Sequence, residues 1–478
     1  MIGIILDSSS YEQDIRELIM AFYPGETFAH EERPEVGFYV RGEEKPEESL
    51  FVLTVEEEGD WVMKVVSVDF SNRFETKSRI KRLLYGMLQE KTRKTLPWGT
   101  LTGIRPTKIA MTKMEEGWSG DEIRSYMRDT YLTSEEKIEL SIEIAARERE
   151  LLSAVDCENG YSLYIGIPFC PTTCLYCSFT SFPIGKWQGR TGEYLEALFQ
   201  EMDYTAEKMK GRRLDTVYFG GGTPTSLTPE DLDRLLGRLA VTFDLENARE
   251  FTVEAGRPDS ITEEKLEVLK KYGITRISIN PQTMRQKTLD LIGRRHTVEE
   301  VRDRFHMARR LGFTNINMDL IIGLPGEDLE DVQETLREIK ELGPDSLTVH
   351  SLAIKRAARL NTMKEQYADY KITNTQEMIA LTAQCAREMG MEPYYLYRQK
   401  NMAGNFENVG YAVPGKACIY NILIMEEQQT IMACGAGTTT KVVYPAENRL
   451  ERAENVKDVE QYIGRIDEML KRKDKLLG

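Results

Sequence analysis

The chain contains 478 residues and carries a formal net charge of −15, with 41% apolar residues. This length predicts about three domains, and the acidic balance argues against nucleic acid as a partner, since nucleic-acid binding needs a basic surface. The N-terminal residues lack a signal-peptide pattern, and no apolar run is long enough to span a membrane. We therefore expect a cytoplasmic protein in a reducing compartment.

The first predicted elements belong to an N-terminal α+β domain, which we assign to residues 1–155. Strands are predicted at Ile2–Leu6 and Trp61–Val68. The stretch Thr133-Ser134-Glu135-Glu136 predicts a capping box at the start of an amphipathic helix. The basic turn Gly103–Lys108 is interpreted as a loop, with anion binding as the alternative.

From residue 156 the pattern changes to short apolar runs that alternate with amphipathic stretches, which predicts a second domain over residues 156–380. Six strand–helix units in succession indicate a parallel sheet that curves into a full or partial barrel. In such barrels, functional residues lie at the carboxyl ends of the strands. Strands are predicted at Leu163–Ile167, Thr216–Phe219, Phe251–Glu254, Arg276–Ile279, Ile316–Ile322 and Leu347–Leu352, and helices at Tyr194–Met209, Glu230–Phe243, Glu263–Tyr272, Val298–Leu311 and Leu329–Leu342.

The remaining residues, 381–478, are less regular and form a predicted C-terminal α/β extension. Tyr394–Tyr397 and Ile419–Met425 are predicted as strands. Apolar residues at helical spacing between Val456 and Leu470 predict a terminal helix. The overall fold class is therefore α/β.

Three cysteines lie within eight residues directly after the first predicted barrel strand. Cys170, Cys174 and Cys177 have the spacing C-x3-C-x2-C. Such a triplet can bind one [4Fe–4S] cluster, because iron–sulfur clusters are held by cysteine thiolates. Three ligands leave one iron open, and an open coordination position is where chemistry takes place in metal sites. A zinc site would need a fourth cysteine or histidine nearby, and seven cysteines in all fit a disulfide framework poorly.

Together with this triplet, the run Gly220-Gly221-Gly222-Thr223-Pro224 resembles the radical S-adenosylmethionine (SAM) enzymes. The closer resemblance is to the oxygen-independent coproporphyrinogen III oxidase group, which also contains haem chaperones, and within it to the HemZ-type branch. The motifs Tyr164–Cys170, Ile292–His296 and Asn317–Pro325 carry this resemblance, which covers about residues 161–360. It implies a partial (β/α)6 radical SAM barrel whose [4Fe–4S] cluster is bound by the cysteine triplet.

The resemblance also implies that the protein binds SAM at the cluster, with room for a second SAM molecule. Tyr164, Gly221 and Glu254 match residues that hold the SAM bound to the cluster. Glu254 and Asp319 are expected at the carboxyl ends of strands, although either carboxylate alone could make a structural hydrogen bond or salt bridge. No catalytic residue is assigned. A second SAM site is implied by Tyr176, Gly222, Thr223, Gln282, Arg294, Asp319 and Ala353.

These implications predict a radical SAM oxidoreductase of haem biosynthesis that converts coproporphyrinogen III to protoporphyrinogen IX. Phe179 stands where that enzyme has a further cysteine, which the haem-chaperone branch also lacks. The alternatives are therefore a haem-binding trafficking protein, or a radical SAM enzyme that acts on another tetrapyrrole. Expected partners are the tetrapyrrole and an electron donor such as flavodoxin or ferredoxin. The substrate carboxylates would need cations, and the candidates, each of which could instead be a solvated loop charge, are Lys355, Arg356, Arg359, Arg398 and Lys400.

Overall fold

The computed structural model describes residues 1–103, 105–355, 358–363, 367, 369–399, 402, 406–447 and 449–477. These residues form two compact units, one of residues 1–145 with 397–407 and the other of residues 146–396 with 408–478. None of the helices in this described part of the chain combines the length and apolar character needed to cross a membrane. The division into three domains at residues 155 and 380 stays a prediction.

The first unit opens with an α+β region. In chain order its elements are β1 (Ile2–Leu6), α1 (Glu12–Phe22), β2 (Phe28–Ala29), β3 (Phe38–Lys45), β4 (Leu50–Glu57), β5 (Asp60–Ser67), α2 (Arg73–Thr92), α3 (Thr107–Glu115) and α4 (Gly120–Tyr131). The strands form a sheet in the order β2-β1-β3-β4-β5, in which β1 is parallel to both neighbours and β3, β4 and β5 are antiparallel. Leu18 of α1 and Leu84 of α2 share a hydrophobic core with Val40 and Leu53 of the sheet.

The basic turn predicted at Gly103–Lys108 is shorter than expected. Ile104 lies outside the described residues, and α3 begins at Thr107. Thr107 and Lys108 are therefore helical, and the loop is limited to the residues before them. Anion binding by this segment stays a prediction.

The helix predicted after residue 134 is present as α5 (Glu135–Leu152), but the predicted capping box is wrong. The oxygens Thr133 Oγ1 and Ser134 Oγ are buried and make no hydrogen bond within the described part of the chain. The backbone holds this entry instead, because Thr133 N donates to Met127 O and Ser134 N donates to Pro97 O. Backbone bonds to the preceding segments, not a side-chain cap, therefore hold the chain at the start of this helix.

A buried ionic network lies inside the first unit. Glu407 accepts hydrogen bonds from Lys137 Nζ at 2.6 Å and from Trp98 Nε1 at 2.7 Å. The side chains of Lys137 and Glu407 are each only 1% exposed. Arg398 lies over the Trp98 ring and donates to Leu101 O at 2.6 Å, so it is buried in this unit and is not a solvated loop charge. Lys400 lies outside the described residues.

The second unit contains the strand–helix units that the sequence predicts. Each predicted strand and helix of the barrel is present, with ends within three residues of the predicted ones. In chain order the elements are β6 (Gly160–Ile167), β7 (Phe169–Cys170), β8 (Phe182–Pro183), α6 (Thr191–Lys208), β9 (Arg213–Gly221), α7 (Pro229–Thr242), β10 (Glu250–Glu254), α8 (Glu263–Lys271), β11 (Arg276–Ser278), α9 (Gln286–Leu291), α10 (Val298–Arg310), β12 (Ile316–Ile322), α11 (Leu329–Leu342) and β13 (Ser346–Ser351).

The barrel strands follow one another in space as they do in the chain. The order β6-β9-β10-β11-β12-β13 is parallel throughout. Helices between them start at local caps: Thr297 and Glu300 form a capping box before α10, and Asp328 caps α11. Because all carboxyl ends point the same way, the segments that follow these strands meet at one end of the sheet.

Further strands and helices extend the barrel sheet at both edges. They are α12 (Arg359–Thr362), α13 (Gln376–Glu388), β14 (Glu392–Tyr397), β15 (Asn408–Ala412), α14 (Ile419–Glu426), β16 (Thr430–Cys434), β17 (Thr439–Tyr444), β18 (Arg449–Glu454), α15 (Val459–Gly464) and α16 (Ile466–Leu477). Beyond β13 the sheet continues with β15, which is antiparallel, and then β14. Beyond β6 it continues with β16, which is parallel, and then with antiparallel β17 and β18.

The strand predicted at Ile419–Met425 is wrong, since this segment forms helix α14. Its N-cap residue, Cys418, gives no side-chain cap. The carboxylate of Glu250, at the start of β10, accepts a hydrogen bond from Ile419 N at 2.5 Å and so satisfies an amide that the helix itself cannot. A short apolar run fits a strand or a buried helix equally well, and this distant cap favours the helix.

The terminal helix is also divided. The sequence predicts one helix between Val456 and Leu470, whereas α15 ends at Gly464 and α16 begins at Ile466. Asp458 caps α15 by accepting a hydrogen bond from Gln461 N, which leaves Val456 outside the helix. Glycine is unfavourable inside helices by about 1 kcal/mol, so Gly464 is a suitable place for the break.

Candidate functional site

The cysteine triplet lies directly after the first barrel strand. Cys170 belongs to the short strand β7, which pairs with β8, and all three thiols are free. Cys174 is buried, whereas Cys170 and Cys177 are partly exposed. The loop is tied to a later connection of the barrel, because Leu175 N donates to Ile292 O at 2.9 Å.

The glycine run at the end of β9 packs against this loop. Gly222 N donates to Ile167 O at 2.8 Å, and Thr223 N donates to Phe169 O at 2.7 Å. A Cβ atom at Gly222 would lie 2.5 Å from Phe169 O, and Gly221 has a φ of +106°. Both positions therefore require glycine. Thr223 Oγ1 lies 3.4 Å from Cys170 Sγ, which connects the run to the thiols.

The three thiols interact electrostatically. Burial raises the pKa of Cys170 to about 11, Thr223 lowers it through a hydrogen bond, and Cys177 and Cys174 raise it further. Burial likewise raises the pKa of Cys177. Within the described ranges, no group of three or more Cys, His, Asp or Glu side chains has the spacing that a single metal ion needs. A cubane cluster differs from a single ion because each thiolate binds a different iron, so three free and mutually interacting thiols on one loop suit it.

Tyr164 and Glu254, predicted to bind SAM, lie with two further tyrosines inside the barrel. The rings of Tyr164, Tyr218 and Tyr420 are stacked, and those of Tyr218 and Tyr420 have centroids 4.5 Å apart. Glu254 is the last residue of β10, as predicted, and accepts a hydrogen bond from Tyr218 Oη at 2.6 Å. Burial raises the pKa of Glu254 to about 7, although this bond opposes the shift.

Asp319 does not lie at a strand end, because it occupies the middle of β12 (Ile316–Ile322). Its Oδ1 accepts a hydrogen bond from Asn317 Nδ2 at 2.7 Å, and its Oδ2 lies 3.8 Å from His350 Nε2. Burial would raise the pKa of Asp319, but the interactions with His350 and Asn317 outweigh it and hold the pKa below its ordinary value. Asp319 and Glu254 also interact electrostatically, so the barrel brings the two predicted carboxylates together.

Gln282 and Arg294 are buried beside the same strands. Gln282 N donates to Asp319 O at 2.9 Å, and its φ of +70° is unusual for a residue other than glycine. Arg294 Nη1 donates to the carbonyl oxygen of Asn280 at 2.7 Å, and Nη2 donates to that of Gly256 at 3.4 Å. The guanidinium is thus held by the backbone of two barrel connections.

Several buried polar atoms in this region have no hydrogen-bond partner among the described residues. A buried polar group without a partner costs about 1–3 kcal/mol. Several such groups close together are therefore expected where a bound polar ligand supplies the missing hydrogen bonds. SAM, with its amino, carboxylate, ribose and adenine groups, has the required donors and acceptors. The atoms are Ser278 Oγ, Asn280 Oδ1, Gln282 Oε1, Arg294 Nε, His296 Nδ1 and His296 Nε2.

The other predicted site residues lie around the cysteine loop and after the last barrel strand. Burial raises the pKa of Tyr176, which interacts with Arg294, Cys174 and Cys177. Ala353 follows β13 and is partly exposed. Phe179 is 70% exposed, and Lys355 Nζ lies 5.5 Å from the centre of its ring. Arg356 lies outside the described residues.

Sequence reasoning missed residues that contact the predicted ones. Arg257 donates a hydrogen bond to Cys174 Sγ at 3.4 Å, and Tyr218 donates to Glu254. His296 is fully buried, and this burial, together with Arg294, lowers its pKa to about 3. The only signal for Arg257 was its position three residues after Glu254, at the carboxyl end of a predicted strand.

Comparisons with known proteins identify relatives of the chain. The Radical SAM superfamily matches residues 164–339. The oxygen-independent coproporphyrinogen-III oxidase-like protein HemZ of Bacillus subtilis is 45% identical over 409 residues, which cover 84% of this chain and 81% of HemZ. The heme chaperone HemW of the same organism is 40% identical over 195 residues, which cover 41% of this chain and 51% of HemW.

A solved structure has a similar fold. Coproporphyrinogen III oxidase (HemN) from Escherichia coli superposes with a TM-score of 0.53 and is 24% identical, with 67% of this chain and 72% of that chain covered. At this identity the likeness concerns the fold alone. The predicted α/β fold, a radical SAM partial barrel with additional elements on both sides in sequence, is confirmed.

Proposed function

The chain belongs to the radical SAM family that includes the HemZ coproporphyrinogen-III oxidase-like protein, and we propose that it converts coproporphyrinogen III to protoporphyrinogen IX. The observation that carries this proposal is the 45% identity to HemZ over 81% of its length. A cysteine loop and buried polar groups at the carboxyl ends of the barrel strands support it, since barrel enzymes carry their chemistry there.

Cys170, Cys174 and Cys177 would hold the [4Fe–4S] cluster of the superfamily. They are free, lie on one loop and interact electrostatically. When bound, the cluster and SAM supply one-electron chemistry that removes a hydrogen atom from an unactivated carbon. The protein contributes binding, orientation and exclusion of water, and the packing of Gly222 and Thr223 against the loop fixes the position of the thiols.

Tyr164, Gly221 and Glu254 would bind the SAM at the cluster. Glu254 is held by Tyr218, and its carboxylate can accept hydrogen bonds from ribose hydroxyls or from an amino group. A second SAM is a further part of the proposal. Its residues would be Tyr176, Gly222, Thr223, Gln282, Arg294, Asp319 and Ala353. Gln282 Oε1 and Arg294 Nε support such a ligand, because both are buried and neither has a hydrogen-bond partner among the residues that the structure describes.

The tetrapyrrole would lie near Phe179 and Lys355. An exposed aromatic ring offers an apolar surface for the macrocycle, and the adjacent ammonium group can pair with a propionate. Arg359, at the start of α12, is a second exposed cation of the same region of sequence. For each propionate converted to a vinyl group, the substrate would lose one hydrogen atom from the carbon β to the carboxylate, one CO2 and one electron. The hydrogen atom would pass to the radical derived from SAM, and the electron would pass to a separate one-electron acceptor. An electron donor such as flavodoxin or ferredoxin would reduce the cluster.

An anaerobic assay with coproporphyrinogen III, SAM and a reductant tests the proposal. The expected products are the tricarboxylate and dicarboxylate porphyrinogens, detected by chromatography after oxidation to porphyrins. Cys174→Ser should abolish their formation and the loading of iron. Cys157→Ser is the matched control, because Cys157 is a free, partly exposed thiol of the same unit outside the triplet, and it should keep both properties.

A haem carrier is the second candidate function, because HemW, a relative at 40% identity, is named a heme chaperone and Phe179 replaces the additional cysteine of the oxidase. A carrier would bind haem tightly and release no CO2 from coproporphyrinogen III. Haem binding without turnover, in protein that loads iron and cleaves SAM, would therefore refute the oxidase proposal. Turnover of a different tetrapyrrole under the same conditions would favour the third alternative.

A further inference from the structure

Arg257 is a buried arginine that directly contacts the cysteine loop. It follows β10 by three residues, and its side chain is only 4% exposed. Its Nη1 donates to Cys174 Sγ at 3.4 Å and to Thr172 O at 3.3 Å, and its Nη2 donates to Thr172 Oγ1 at 3.1 Å. The guanidinium thus binds the middle of the triplet through a thiol, a carbonyl and a hydroxyl.

A carboxylate fixes the orientation of this guanidinium. Arg257 Nε and Nη2 donate to the two oxygens of Asp259 at 2.9 and 2.7 Å, the fork-to-fork geometry of a bidentate ion pair. Thr172 continues the network, since its Oγ1 donates to Gly293 O at 3.0 Å. Because Arg257 is buried and held on two sides, its N–H group stays directed at the sulfur of Cys174.

We propose that Arg257 is a positioning residue for the cluster, which holds the loop in place and donates a hydrogen bond that raises the reduction potential of the cluster. This inference rests on the proposed function, because it requires a cluster at the triplet. Reduction adds negative charge to the cluster and its thiolates. Hydrogen bonds to the sulfurs and nearby positive charge stabilise that charge, and both are known determinants of cluster potentials.

The proposal predicts opposite changes in the reduction potential of the cluster when Arg257 or Asp259 is replaced. Arg257→Met removes the hydrogen bond and leaves the Asp259 charge near the cluster, so the potential should fall. Asp259→Asn keeps the guanidinium and removes the negative charge, so the potential should rise. The double variant restores neutrality and isolates the hydrogen bond, so its potential should lie below that of the wild type and above that of Arg257→Met.

The test is a redox titration of the full-length, anaerobically reconstituted protein, followed by electron paramagnetic resonance of the reduced cluster. We expect Arg257→Met to lower the equilibrium constant for one-electron reduction of the cluster about tenfold, which corresponds to a fall of about 59 mV in its potential. Arg257→Lys keeps a charge and a donor and should recover part of the loss. Arg302→Met is the matched control, because Arg302 is an arginine of the same unit whose ion pairs, with Glu299 of α10 and Glu338 of α11, do not involve the cysteine loop. It should leave the potential unchanged.

The outcomes separate this inference from the proposed function. If the wild type binds no iron, the cluster proposal itself fails. If the wild type binds about four irons, as a cubane requires, and Arg257→Met and Asp259→Asn keep its potential, the role of Arg257 is refuted. Loss of iron in a folded Arg257→Met variant, with retention in Arg257→Lys, supports the holding function. If Arg257→Met does not fold, Arg257→Lys decides: a potential below that of the wild type supports the role of Arg257, and an unchanged potential refutes it.

Discussion

Glu254 should make the protein less stable as the pH rises, and its replacement by glutamine should remove this loss. Burial raises the pKa of Glu254 from 4.5 to about 7. The folded protein therefore binds a proton between these pH values that the unfolded chain has released, so the free energy of unfolding falls as the pH rises through this interval. Glutamine has nearly the same shape, can accept the hydrogen bond of Tyr218 and carries no charge.

The size of the effect follows from the two pKa values. One pKa unit corresponds to about 1.4 kcal/mol, so the difference between 4.5 and about 7 amounts to about 3 kcal/mol. The gain from Glu254→Gln should be close to zero at pH 4.5 and should approach this value at pH 8. A gain of this size is large compared with the 5–15 kcal/mol by which a typical domain is stable. The substitution would also remove the carboxylate that is proposed to bind SAM.

The assay is urea unfolding of the protein without added iron or SAM, at pH 5 and at pH 8. Glu327→Gln is a matched control, because burial also raises the pKa of Glu327 to about 7 and this carboxyl accepts a hydrogen bond from Thr283. Both variants should gain stability at pH 8. Only Glu254→Gln should weaken the binding of SAM, by about 1–3 kcal/mol. An equal gain at both pH values, or unchanged SAM affinity, would refute the reasoning for Glu254.

Two further predictions concern packing. Gly222→Ala should reduce iron loading in a colorimetric assay, because the new methyl group would lie 2.5 Å from Phe169 O and displace the cysteine loop. Gly464→Ala is the control and should load iron normally, because no atom of the described residues would lie within 4 Å of its methyl group. Lys137→Met should destabilise the first unit by about 3–5 kcal/mol in urea unfolding, since it removes the buried cation that balances Glu407. Lys137→Met combined with Glu407→Gln should recover part of this loss, and an additive further loss would contradict it.

The barrel was predictable from the sequence because local and long-range signals agree there. Apolar runs, amphipathic stretches and caps such as Thr297 with Glu300 all favour the same element boundaries. Two of the predictions fail because groups outside the segment decide its structure. Ile419–Met425 forms a helix because Glu250, far away in sequence, supplies the cap, and the segment before α5 is held by the backbone of Pro97 and Met127.

Some residues of the candidate site could be recognised in the sequence, and others could not. The cysteine triplet stands out because three thiols at short spacing have few other uses, and the glycine run does so because two of its members cannot carry a side chain. Arg257 could not be recognised, since an arginine before a proline is an ordinary residue in a sequence. The proposed role of Arg257 rests on its contacts with Thr172 and Cys174, which form only in the folded chain.

The buried polar atoms at the end of β11 and directly after it show why candidate ligand-binding residues cannot be ranked from sequence alone. Ser278 is the last residue of β11, and Asn280 and Gln282 follow it at alternate positions in the sequence. Their side-chain oxygens are buried and make no hydrogen bonds within the described residues. Each such oxygen costs about 1–3 kcal/mol of stability. A folded protein can tolerate several of them together when a ligand provides the missing hydrogen-bond donors. In the sequence these residues are ordinary polar side chains, and only their burial in the structure makes them candidates for a binding surface.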